Sequence, residues 1–171
     1  WVELDITPLF DNDGYCSHFV AVERDITARK QQDSELRKAQ ERFEMITKAT
    51  HDVIWDWDFT TGQVWWNDSM AEVFGYDLNC LEPGPESWTN RIHADDLQRV
   101  AQGIHHVIEG EKDYWQDEYR FIKRNGESAR VIDRGFVLRN DEGKAIRMVG
   151  SMLDMTERLA IEQKLRESQK L

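Results

Sequence analysis

The residues best suited to chemistry come in pairs. Asp56 and Asp58 stand two apart, and Asp95 and Asp96 are adjacent. Paired carboxylates serve general acid–base catalysis, where one acid is held neutral and the other ionised. Both pairs also have a plainer reading. Asp56 and Asp58 alternate outward along a strand pattern. Asp95 and Asp96 open a helical pattern, where acidic groups favour the macrodipole. His105 and His106 lie near the end of that helix. Neighbours on a helix point about 100° apart. The stripe of Leu97, Val100, Ile104 and Val107 therefore leaves His105 outside and His106 nearer its edge, and both read as solvated. His93 reads as a local hydrogen-bonding residue and His51 has no companion. Cys16 and Cys80 lack metal-ligand spacing. Trp57 and Tyr119 could bracket a flat ligand or simply fill a core. No nucleophile–base pair, phosphate-cradling glycine loop or metal cluster is present. No catalytic residue and no metal ligand is expected in this segment.

The elements that must position these residues are organised around a repeat. Asp154 stands 129 residues after Asp25, and the two ends of the chain match at that offset without gaps. Val2 meets Val131, Leu9 meets Leu138, Gly14 meets Gly143 and Val20 meets Val149. Asp25 and Thr27 meet Asp154 and Thr156, and Arg29, Leu36, Arg37 and Gln40 find identical twins. Such a period is too long for a solenoid unit and has the size of one domain plus a connector.

Local patterns fill in this frame. Residues 1–9 and 17–24 read as strands about an Asp11-to-Gly14 turn. Thr27 is placed to cap the polar helix that follows. In that helix Leu36, Ala39, Phe43 and Ile46 are spaced 3, 4 and 3 apart, a short heptad seam that Ile161 and Leu165 continue after the repeat. Val53, Trp55, Trp57 and Phe59 alternate with Ile54, Asp56 and Asp58, as in a half-buried strand. A turn at Gly62 leads to a second strand at 63–66, and Asn67-Asp68-Ser69 offers a cap to a short helix ended by Gly75. Residues 77–91 read as irregular. A longer helix runs from Ala94 to Gly110. Strands at 114–123, 127–139 and 144–154 follow, joined by Asn125-Gly126 and by a turn at Asn140 to Gly143. This order suits an antiparallel sheet with helices over one face.

Composition narrows the function classes. The formal charge of −11 argues against nucleic acid and against anionic lipid. No run approaches the ~20 apolar residues of a membrane span. The absence of a signal peptide and of an initial Met reads as a segment excised from a longer parent, which leaves a membrane-anchored parent open. Two cysteines, one in each copy, fit a reducing, cytoplasmic setting.

Over residues 44–156 the motifs resemble the PAS sensor fold. Trp55-Asp56-Trp57-Asp58 with Gly62, Val64 and Trp66 is similar to its opening hairpin. Phe74-Gly75-Tyr76 is similar to its short-helix stop. Trp88, Ile92, His93 and Asp96 resemble the start of its long helix, with Ala94 where proline is usual. Glu118-Tyr119-Arg120, Asn125-Gly126, Gly143 and Gly150 resemble its later strands. Asp154-Met155-Thr156 resembles its closing "DIT" segment, which Asp25-Ile26-Thr27 matches outright. The resemblance implies an α+β fold, with a five-stranded antiparallel sheet and helices on one face. It divides the chain into the closing hairpin of an upstream domain (1–27), a connector helix (28–47), a complete domain (48–156) and an output helix (157–171). One departure is Arg130, where the family often has Trp and where the upstream copy has Trp1.

The family can hold haem, flavin or small acids between the long helix and the sheet. Pocket candidates are Trp57, Phe74, Ile104 and Tyr119. No cofactor is expected, although a small-molecule ligand remains open. His105 and His106 suit haem poorly. The Asn79-Cys80-Leu81-Glu82 stretch departs from the flavin-adduct motif and follows Tyr76 too closely. Asp25, Thr27, Asp154 and Thr156 are the expected signal-relay residues, and the seam residues imply a homodimer through the connector helices. Glu162 to Leu171 resembles the helix entering the dimerisation domain of sensor histidine kinases. That implies adjacent PAS and kinase domains in the parent, with a ligandless spacer or a diguanylate cyclase input as alternatives.

Overall fold

A computed structural model describes residues 1–169. The chain divides into two compact units, Trp1–Ile46 and Thr47–Leu171.

In the first unit, strands β1 (Val2–Phe10) and β2 (Cys16–Asp25) form an antiparallel hairpin that leads into helix α1 (Thr27–Thr50), whose first part belongs to this unit. Every residue from Trp1 to Asp25 is exposed on both faces. Trp1, Phe19 and Val2 are 77%, 70% and 63% accessible. A lone two-stranded hairpin is marginal in water, so this one has the composition of a buried element without the cover of one. The seam residues Leu36, Ala39, Phe43 and Ile46 of α1 are likewise exposed.

The second unit contains β3 (Val53–Asp58), β4 (Val64–Trp66), α2 (Ser69–Phe74), α3 (Glu86–Thr89), α4 (Ala94–Glu109), β5 (Tyr114–Ile122), β6 (Ser128–Arg139), β7 (Ala145–Asp154) and α5 (Thr156–Ser168). The five strands form one antiparallel sheet in the order β4-β3-β7-β6-β5. Period-two alternation gives it one buried and one exposed face. Trp115, Tyr119 and Phe121 of β5 face inward with Val131, Asp133 and Val137 of β6, while Tyr114, Phe136 and Leu138 face out. Val100 and Ile104 of α4, Met70 and Phe74 of α2 and Trp88 of α3 join the same core. The stretch at 77–91 is more ordered than its turn residues suggest. It holds a 3-10 turn at Leu78–Cys80 as well as α3, with Trp88 buried at 6% exposure.

Two capping expectations are corrected. Asp68 precedes α2 without a side-chain cap bond. Asn67 instead fastens β3: its Oδ1 accepts from the Ile54 N–H at 3.0 Å, and its Nδ2 donates to the Asp52 carbonyl at 3.1 Å. Thr27 and Thr156 are the first residues of α1 and α5 rather than residues ahead of them.

The repeat is reproduced in hydrogen bonds. Val2 pairs with Asp25, as Val131 pairs with Asp154, and each hairpin bulges just after its twinned leucine, Leu9 or Leu138. Gly14 donates to the Asp11 carbonyl at 3.0 Å and Gly143 to that of Asn140 at 2.9 Å. Tyr15 donates its amide to Asp11 Oδ1 and Lys144 to Asn140 Oδ1, both at 2.9 Å.

Candidate functional site

Two places concentrate hydrogen-bonded polar groups. The first is the interior between α4 and the sheet. Trp55 of β3 lies opposite Gly150 of β7, which lies opposite Gly135 of β6. A methyl group on Gly150 would stand 2.3 Å from the Trp55 ring, and one on Gly135 would stand 2.7 Å from it. The two glycines thus form a flat seat for the indole. From that seat Trp55 Nε1 donates to Asp133 Oδ1 at 2.8 Å. Tyr119 donates its hydroxyl to Asp133 Oδ2 at 2.7 Å and accepts from Trp88 Nε1 at 2.6 Å. Asp133 is 1% exposed. Burial pushes its carboxyl up to about 7, against the opposing pull of the Tyr119, Trp55 and Arg134 donors. Burial, and then the nearby Asp133 charge, raise the Tyr119 phenol well above its ordinary value.

Little space remains. A cavity of about 20 Å³ is lined by Trp55, Trp57, Val64, Trp66, Pro85, Trp88, Ile104 and Asp133, room for roughly one water. Of the four expected pocket residues, Trp57 and Ile104 line it. Tyr119 reaches it only through Asp133, and Phe74 packs instead on Phe121, with ring centroids 4.8 Å apart. Trp57 meets Phe59 edge to face at 4.9 Å. Trp55, Trp88 and Asp133 were missing from the sequence-based set. The inward position of a lone acid in the Val131-Asp133-Gly135-Val137 alternation was the available signal.

The second place is the junction between β7 and α5. Asp154 Oδ1 accepts from the Thr156 N–H at 3.0 Å and from its hydroxyl at 2.6 Å, and Oδ2 pairs with Lys123 Nζ at 3.2 Å. The Thr156 hydroxyl accepts from the Arg130 N–H of β6 at 2.9 Å, and the Met155 N–H donates to the Arg130 carbonyl at 2.7 Å. The threonine therefore ties the helix back to β6 instead of capping its first turn. Burial pushes the Asp154 carboxyl up, but the Thr156 groups and Lys123 outweigh it and hold the carboxyl below its ordinary value.

The twin junction repeats this wiring. Thr27 N–H donates to Asp25 Oδ1 at 2.9 Å, the Trp1 terminal amino group to the Thr27 hydroxyl at 2.6 Å and the Ile26 N–H to the Trp1 carbonyl at 3.0 Å, while the Thr27 hydroxyl donates to the Trp1 carbonyl at 3.4 Å where that of Thr156 donates to Asp154. Both bonds to residue 1 or 130 are main-chain on that side, so the change from Trp1 to Arg130 leaves them intact.

The paired carboxylates are taken up by ion pairs and turn bonds, and Asp95 and Asp96 share Arg120, Asp95 at 3.8 Å from its Nη2. Asp56 forms an ion pair with Arg147, and Asp58 accepts from the Thr60 and Thr61 amides of its turn. Asp96 accepts from the Arg120 amide, Nε and Nη2, each at 2.9 Å. His105 and His106 are exposed, as is Cys80. Among the described residues no group of acids, histidines and cysteines could hold a metal ion.

The family model described as PAS fold matches residues 63–152. A methyl sulfide methyltransferase-associated sensor of Methanosarcina acetivorans is 28% identical over 169 residues, 95% of this chain and 17% of that protein. A blue-light-activated histidine kinase of Brucella ovis is 24% identical over 170 residues, 92% of this chain and 33% of that protein. The chain thus spans a third or less of these curated relatives. A crystal structure of a sensory box histidine kinase/response regulator from Burkholderia thailandensis superposes with a TM-score of 0.60 at 31% identity. It covers 75% of this chain and 95% of that one.

Proposed function

The chain belongs to the PAS fold family, and on that premise we propose that it is the sensory and signal-relay segment of a two-component sensor histidine kinase. The observation that carries this is the junction built twice. At Asp25–Thr27 and again at Asp154–Thr156, an aspartate accepts from the threonine amide and the threonine hydroxyl accepts from the nitrogen of the neighbouring strand, so that the last strand of a hairpin is tied to an outgoing helix at the matching positions. A device repeated at each strand-to-helix passage suits a series in which every module hands movement to the next. Residues 1–27 are then the closing hairpin of an upstream PAS domain, and its exposed apolar face is the half of a core whose other strands precede Trp1 in the parent. Residues 28–47 are the connector, 48–156 the complete domain and 157–171 the output helix.

The seam of Leu36, Ala39, Phe43 and Ile46, with Ile161 and Leu165 beyond the domain, is exposed and is the proposed homodimer contact. Heptad seams have few discrete packings, so a small rotation is read as on or off. No described helix is long and apolar enough to cross a membrane. We place the segment in the cytoplasm of its parent, without membrane or nucleic-acid contact.

Haem or flavin does not fit this interior. Ligand pockets of drug-sized molecules measure roughly 300–1,000 Å³, against a cavity of about 20 Å³. The same small cavity supports a second reading, a ligandless module that only dimerises and sets geometry.

The test is ATP-dependent autophosphorylation of the full-length parent. Acid-labile phosphohistidine on the protein supports the kinase assignment; synthesis of a cyclic dinucleotide would replace it with a cyclase. Output that ignores every substitution inside residues 48–156 would favour the spacer.

A further inference from the structure

Asp133 is surrounded by hydrogens. Trp55 Nε1–H and the Tyr119 O–H point at its two oxygens at 2.8 and 2.7 Å. The Tyr119 oxygen already accepts from Trp88 Nε1, so its one hydrogen is committed to Asp133. Two side-chain donors suit a carboxylate, and a carboxyl O–H gains an acceptor only if Tyr119 turns its own hydrogen away. Yet among the described residues no cation stands in its shell as the counter-charge that a buried carboxylate needs. The titratable or charged groups bearing on it are Tyr119 and Asp117 of β5, and Asp117 pairs with Arg99 of α4. From β3 and α3 come the indoles of Trp55 and Trp88, and the β7 residue opposite Asp133 is Met152. Hydrogen bonding thus favours the charge while burial opposes it, and the two protonation states lie close in free energy near neutral pH.

Protonation places a hydrogen on an oxygen that already receives one. The neutral carboxyl is the weaker acceptor for both donors, and its O–H finds an acceptor only in the second lone pair of the Tyr119 oxygen, whose own hydrogen must then turn away; the adjacent cavity gives the Trp55 side room to loosen. Both strands behind the output junction bear on that event. Arg130, which holds Thr156 and Met155 through its main chain, lies three residues from Asp133 along β6. Gly150, which seats Trp55, lies four residues from Asp154 along β7.

We propose that Asp133 is a proton-operated switch: the ionised carboxylate holds Trp55 and Tyr119 in place, and protonation releases one of them and shifts the β6 and β7 ends that carry the Asp154–Thr156 junction. The signal class this assigns to the domain is intracellular acidity, and it rests on the relay proposed above.

The test is a pH titration of the 171-residue chain from pH 5 to 9 by ¹H–¹⁵N NMR, following the Trp55 indole N–H and the Thr156 amide. Both resonances should move with one shared midpoint near neutrality. Asp133→Asn should abolish both transitions. Tyr119→Phe, which removes a donor to the charged form, should raise the midpoint by roughly one to two pH units. Three results overturn the switch: no shared transition, a transition that survives Asp133→Asn, or movement of Trp55 with Thr156 still. If Asp133→Asn does not fold, an unchanged midpoint in Tyr119→Phe is decisive against it. Failure here leaves the relay standing, because the relay is tested at constant pH through Asp154 in the full-length protein. Failure there leaves the Trp55 titration intact and removes only its consequence.

Discussion

Gly150→Ala should be among the most damaging one-carbon changes in the domain. The added methyl would lie 2.1 Å from the Arg134 carbonyl oxygen and 2.3 and 2.6 Å from two ring carbons of Trp55. The carbonyl belongs to the adjacent strand, and Trp55 is only 5% exposed, so neither yields freely. Overpacking of this kind costs about 1–3 kcal/mol. Displacing Trp55 also removes its bond to Asp133 and leaves a buried acceptor short of a donor, about 1–3 kcal/mol more. Together these predict a loss of roughly 3–5 kcal/mol, a large share of the 5–15 kcal/mol typical of a domain. The assay is urea denaturation at pH 8 followed by tryptophan fluorescence, comparing midpoints at a common slope. Gly126→Ala is the control. Gly126 has φ +87° with open space around it, so only the backbone penalty of about 1 kcal/mol applies. Adding Trp55→Phe to Gly150→Ala should cost less than the two changes summed, since the smaller ring no longer meets the methyl. A Gly150→Ala loss below about 1 kcal/mol would refute the seat, and with it the positioning of Trp55 against Asp133.

Other perturbations have opposite signs with pH. Because the folded-state pKa of Asp133 is raised to about 7, the folded chain keeps a proton that the unfolded chain has lost between about pH 4 and 7. Stability should fall across that window by at most about 1.4 kcal/mol per pH unit from this group and level off above it; Asp133→Asn should flatten the slope in pH-dependent melts. Asp96, held low chiefly by Arg120, and Asp154 contribute stability that is present above the ordinary carboxylate range and lost as pH falls through their depressed values. Asp96→Ala should cost about 2–3 kcal/mol in urea, since a carboxylate only 15% exposed gives up three charge-assisted bonds. Thr156→Ala should cost about 1–2 kcal/mol and Thr156→Ser much less, because the serine hydroxyl can still bridge Asp154 and Arg130.

The strand order, the long helix and the junction were legible because each is a local pattern. Alternation from Trp115 to Phe121 and from Ala129 to Val137 already names the buried face, and Asn125-Gly126 names a turn. The interior was legible only in part. Trp57 and Tyr119 look equally placed to face a ligand, yet what decides the matter is that β3 pairs with β7 and sets Trp55 over Gly150. No local period encodes that long-range register. The repeat carried a hint in reverse: the twins of Asp133, Gly135 and Gly150 are Leu4, Ile6 and Ala21, so the polar seat belongs to one copy alone. The threonine of the junction was misjudged for a related reason. A cap is a local motif, whereas the Thr156 hydroxyl is spent on β6, 26 residues away in sequence.

The relay itself is most directly tested by Asp154→Ala in the full-length parent. The change removes the acceptor that ties Thr156 to the end of β7 and frees Lys123, while leaving the core around Trp55 untouched. Circular dichroism and a melting curve establish that the domain is folded, and autophosphorylation is then measured with and without stimulus. The relay predicts a folded variant whose basal activity is altered and whose response to stimulus is lost. A folded variant that is regulated like the parent would contradict it, and would reduce the junction to a structural tie at the end of the sheet.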